Sequence, residues 1–138
     1  MELVDFLRAR LDEDEQVARA VEDRSAPWDG QWVADGNDAA RTHNGHVLFY
    51  GHNWPLKAGL VDHIVRHDPA RVLREVEAKR ATLEWHQDAA DEMEQAKLDL
   101  DNEAYQAARL ERRLLGRAIR RDAAVYAGHP DYDASWKP

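Results

Sequence analysis

The chain contains no cysteine, only five prolines and seven glycines among 138 residues, and no long apolar run. Without cysteine there are no disulfides, thiolate zinc sites, iron–sulfur clusters or thiol nucleophiles, and any metal would need His, Asp or Glu. No stretch approaches the roughly 20 apolar residues of a membrane span, and the opening "MELVDFLRARLDEDEQ" is charged from Glu2 onward, unlike a secretory leader. The expected location is the cytoplasm, with no membrane contact. Also missing are a phosphate-cradling glycine loop, a nucleophile elbow and a His-Glu-x-x-His motif. No proline falls between Pro69 and Pro130, which leaves a long stretch free to be helical.

What the chain has in quantity is charge: 27 Asp and Glu against 19 Lys and Arg, a net of -8. That balance repels nucleic acid and anionic lipid on average and favours proteins as partners. Apolar residues make up 43% and fall in periodic segments, so the chain folds, and its length fits one domain over residues 1–138.

The expected fold class is α+β, mainly helical. Residues 2–24 read as a helix, with Val4, Leu7, Leu11, Ala18 and Val21 on one stripe. Residues 28–54 turn aromatic and β-branched. There "QWVAD" and "HVLFYG" read as strands of a two- or three-stranded antiparallel sheet, and Asn44-Gly45 marks a tight turn. Such a small sheet needs a helix to lie on. Trp28, Trp32, Phe49 and Trp54 are its adhesive, or alternatively a surface on which a ligand stacks. A short helix is expected over residues 55–67.

Asp68 is placed to cap the next helix, with Pro69 at its first position, where a missing N–H costs nothing. Beyond it Val76, Leu83, Ala90, Met93, Leu100, Ala107, Leu114, Ala118 and Val125 keep a heptad-like register over residues 69–127. A single helix there would be roughly 90 Å long. A break at "LDLDNEA", where Asp99, Asp101 and Asn102 can each cap, gives a helical hairpin instead. The long arm is the slightly favoured reading. Residues 128–138 form a tail whose Tyr132 and Trp136 dock on the body.

Charge is segregated along this segment. Glu84 to Glu103 holds eight acidic side chains and one base, Lys97; Arg109, Arg112, Arg113, Arg117, Arg120 and Arg121 then face only Glu111. Two copies laid antiparallel would match acidic half to basic half, with apolar heptad positions between them. The expected interface comprises Leu83, Ala90, Met93, Leu100, Ala107 and Leu114 together with Arg109, Arg113, Arg117 and Arg120. The same arginine flank could instead touch phosphates. Against that, no aromatic residue is interleaved with it and the acidic run is close, so nucleic acid is disfavoured.

His63 and His67 stand at i and i+4, the spacing that puts two imidazoles over one metal, with Asp62, Asp68, His86 or His46 as a third ligand. Histidines in the last turns of a helix also serve its C-terminal carbonyls, and this plainer reading is preferred. No cofactor and no catalytic residue are assigned.

The stretches "LVDFLRARLDEDEQVARA", "DHIVRHDPARVLREVEAKR" and "YAGHPDYDASWKP", together about a third of the chain, resemble a family of small actinobacterial and actinophage proteins built on a domain of unknown function. The resemblance implies such a source, a cytoplasmic protein and no assigned activity. Many members carry a short cysteine-containing segment before the tail, suggestive of metal binding. This chain has instead a longer acidic-then-basic helix. The overall expectation is a non-enzymatic interaction or regulatory protein that forms a homodimer through the long helix and binds a further protein, such as a phage or host factor. A metal-dependent enzyme using His63 and His67, and nucleic-acid binding through the Arg109–Arg121 flank, are the alternatives.

Overall fold

The structure is a computed structural model that describes residues 1–21, 29–36, 38–51 and 59–138. In chain order it contains α1 (Leu3–Ala20), β1 (Trp32–Asp35), β2 (Ala39–Thr42), β3 (Val47–Tyr50), α2 (Leu60–Arg66), α3 (Pro69–Leu98), α4 (Asn102–Ala124) and a 3₁₀ turn at Ala134–Trp136. The mainly helical α+β class is as the sequence indicates. The chain divides into two compact units, residues 1–12 with 77–138, and residues 13–76.

In the unit of residues 13–76 the three strands form an antiparallel sheet in the order β1-β2-β3. Trp32 pairs with Thr42, and Ala40 with both Ala34 and Phe49. Because side chains alternate along a strand and directly paired residues share a face, Trp32, Ala40, Thr42 and Phe49 lie on one side of the sheet. Ala40 and Thr42 are fully buried there. The β2–β3 turn uses Gly45 at φ 95, and Thr42 and His46 close it with an N–H···O bond of 2.8 Å. Asp29 secures the turn by accepting from the backbone N–H groups of Gln31, His43 and Asn44 at 2.9–3.1 Å.

Helix α2 packs on β1 and β2. It starts after Gly59, whose φ of 85 is the left-handed conformation, and runs over Leu60–Arg66. Positions 55–58 of the expected 55–67 helix lie outside the described residues. Asp68 then caps α3: its Oδ1 accepts from Arg71 N–H at 2.7 Å and its Oδ2 from Trp32 N–H at 3.3 Å. One carboxylate therefore starts the helix and holds β1 beside it.

The other unit is built on a hairpin, and the continuous-arm reading of residues 69–127 gives way to it. The chain stops α3 with a Schellman motif. Asp101 N–H donates to Ala96 O at 2.9 Å, Leu100 N–H to Lys97 O at 3.2 Å, and Leu100 takes φ 56. Asp101 then caps α4 by accepting from Ala104 N–H at 3.0 Å. Cross-contacts fix the pairing of the helices. Lys97 lies over the Tyr105 ring, His86 lies beside Gly116, and Lys79 lies over Tyr126. As one partner's number rises the other's falls, which is the signature of antiparallel helices.

The core of this unit includes Phe6, Leu7, Leu11, Leu83, Ala89, Ala108, Ile119 and Ala123. Phe6 is fully buried, with the rings of Tyr126, His129, Tyr132 and Trp136 at centroid distances of 5.1–6.5 Å. Arg10, also buried, lies 5.4 Å over the Phe6 ring and donates to Nε2 of His129. The tail thus closes over the first turns of α1 through edge-on aromatic contacts.

Candidate functional site

At 100° per residue, α4 presents three faces. One holds Ala108, Leu115, Ile119 and Ala123, and is buried apart from the half-buried Leu115. A second holds Ala107, Leu114, Ala118 and Val125. Leu114 is 51% exposed and Val125 71%. The third carries Arg109, Arg113 and Arg120, with Gly116 among them. Heptad spacing is shared by the first two faces, which differ by one residue in phase, and the sequence register selected the outer one. As a result, of the expected interface residues only Leu83 is buried, while Ala90 and Met93 are half-buried and Leu100, Ala107 and Leu114 are exposed. Arg109, Arg113, Arg117 and Arg120 are exposed as well; Arg109, Arg113 and Arg120 stand on a different flank from Leu114, and Arg117 lies between the two.

Along the basic flank runs a groove. Its first part, about 570 Å³, is lined by His86, Met93, Tyr105 and Leu110 with Arg109, Arg112 and Arg113. Its second part, about 500 Å³, shares His86, Arg112 and Arg113 and continues past Gly116 to Arg117 and Arg120, with Glu2 at its edge. Gly116 lies against His86: a Cβ there would stand 3.9 Å from its Nε2, in ordinary van der Waals contact. Among the described residues no carboxylate lies within ion-pair distance of Arg109, Arg112, Arg113 or Arg117. Arg120 donates to the Ser135 carbonyl at 3.1 Å.

His86 registers this surplus of positive charge. Partial burial, and then the Arg112 guanidinium, hold its pKa below the ordinary histidine value, which favours the neutral ring. From the sequence His86 is only a possible third metal ligand, Arg112 only one member of the basic run, and Tyr105 is not singled out. The signal was present, because Tyr105, Arg109, Arg112 and Gly116 follow the spacing of one helix face. An aromatic ring therefore does accompany the arginines, at the end of the run.

The remaining candidates sit elsewhere. His63 and His67 are both exposed, their rings 4.5 Å apart, and His67 Nδ1–H donates to the His63 carbonyl at 2.8 Å. That is the helix-terminal use of a histidine. Among the described residues no group of three or more His, Asp or Glu gathers to hold a metal. Trp32 and Phe49 are half-buried on the sheet face that also buries Ala40 and Thr42, and the Trp32 indole N–H is buried without a partner among the described residues. Trp28 and Trp54, the other half of the expected stacking surface, lie outside the described residues. No helix among the described residues is long and apolar enough to cross a membrane.

No curated protein matches the chain, and no solved structure does. Residues 1–138 match DUF6221, a family of unknown function, and the chain belongs to that family.

Proposed function

We propose that this protein is a non-enzymatic interaction module that pairs with a second copy through the outer face of α4. The observation that carries this reading is the apolar stripe of Ala107, Leu114 and Val125, left open on a helix whose opposite side is already packed. Charge favours a second copy as the occupant. Asp88 and Glu92 are exposed on α3, while Arg117 and Arg121 border the α4 stripe. A two-fold axis running along the hairpin would lay α3 of one copy antiparallel to α4 of the other, with opposite charges level with each other.

Light scattering coupled to size-exclusion chromatography tests the pairing. The expected mass is twice 15.8 kDa at low salt, decreasing as salt is added. Leu114→Asp should return the monomer mass with unchanged helical circular dichroism, since this residue is half exposed in the single chain. A mass of 15.8 kDa in every buffer would sink the proposal.

A further inference from the structure

The groove on the third face of α4 is a separate matter from pairing, because Arg109, Arg112 and Arg113 stand away from the Leu114 stripe, and only Arg117 lies between the two. Five features coincide there. It is a cavity of the size that small ligands occupy. Arg109, Arg112 and Arg113 line it without a carboxylate within reach among the described residues. Tyr105 and Met93, both half-buried, give one end an aromatic and apolar wall. His86 sits in its wall, neutral and able both to donate and to accept a hydrogen bond. Finally, the run from Tyr105 to Arg117 covers about 18 Å at 1.5 Å per residue, longer than one phosphate needs.

We propose that this groove binds a nucleotide, with its ring against Tyr105 and its phosphates among Arg109, Arg112, Arg113 and Arg117. Guanidinium forks suit phosphate because they donate two parallel hydrogen bonds and keep their charge at any working pH. A single nucleotide fits better than a nucleic-acid strand. The acidic side chains Asp88, Asp91 and Glu92 stand on the same hairpin and repel a polyanion that extends past the groove, whereas a ligand whose charge ends inside it escapes them.

Titration calorimetry of the full chain with ATP, with inorganic triphosphate and with a short single-stranded oligonucleotide tests this, in buffer near physiological salt. The expected result is saturable binding of ATP, weaker binding of triphosphate and weakest binding per site of the oligonucleotide. Arg112→Met with Arg113→Met, both exposed, should weaken ATP at least tenfold, and Tyr105→Ala should weaken ATP while leaving triphosphate unchanged. In the unsubstituted protein, bound ATP should move the His86 titration upward as read by imidazole NMR, because an anion offsets Arg112. No ATP binding at millimolar concentration, an unmoved His86, or an oligonucleotide preferred over ATP would each overturn the proposal.

Discussion

On α3, Gln87 donates to Asp91, Gln95 to Asp99 and Lys97 to Glu94, each within one turn of its partner; on α4, Arg109, Arg112, Arg113 and Arg117 reach no carboxylate among the described residues. Part of the acidic run of α3 is thus engaged along its own helix, while Asp88, Glu92 and the basic run of α4 have no such partner among the described residues. The apolar residues differ in the same way. The exposed apolar residues of α3 include Trp85 and Leu98, which do not share a stripe, whereas α4 has a packed stripe and an open one. A charge run with local partners is a solvated surface, and a charge run without them is where a ligand or a partner belongs.

The largest expected effect separates the two stripes of α4. Ile119→Ala should cost about 2–5 kcal/mol in a denaturant titration, against under about 0.5 kcal/mol for Leu114→Ala. Similar losses at both positions would erase the distinction between a packed and an open face. Next comes the junction that keeps the two helices apart. Asp101→Ala removes the cap accepting from Ala104 and should cost about 1 kcal/mol. Leu100→Gly should act in the opposite direction, stabilising by up to about 1 kcal/mol, because a leucine held at φ 56 carries a steric penalty that glycine lacks. A destabilised glycine variant would show that the side chain of Leu100 has a contact role in spite of its 90% exposure.

The smallest effect concerns acid. A histidine whose folded pKa is depressed takes up its proton more readily when unfolded, so stability is lost as pH falls below 6.5, the unfolded value. Chemical denaturation of the protein and of His86→Gln, compared near pH 8 and near pH 5, should show a smaller acid loss in the variant. Identical pH dependence would mean that Arg112 and burial do not act on the ring as described.

Much of this architecture could be read from residues whose chemistry is local. The Asp68-Pro69 start of α3 and the Asn44-Gly45 turn depend on near neighbours, and both occur where the sequence puts them. Strand β2 is different: "AART" has little β propensity of its own and is a strand because β1 and β3 pair with it on either side. The phase of α4 was not legible for a related reason, since Ala107/Leu114 and Ala108/Leu115 obey the same spacing and only the packing of the hairpin selects between them. Phe6 escaped notice because its partners lie more than a hundred residues away. The groove was half visible as an arginine run, but its walls come from two helices, and His86 joins Arg112 only once the chain turns at Leu100.

The enclosure of Phe6 also has a bearing on synthesis. Among the described residues every aromatic ring around it belongs to residues 126–136, which leave the ribosome after all other elements of that unit. Until those residues have emerged, α1 stands with its most buried side chain uncovered. Contacts of such long sequence separation slow folding and extend the time during which an apolar surface is open to other chains. Emergence of residues 126–136 is therefore the event that completes this unit, and a ribosome stalled short of Trp136 would hold a hairpin without its lock.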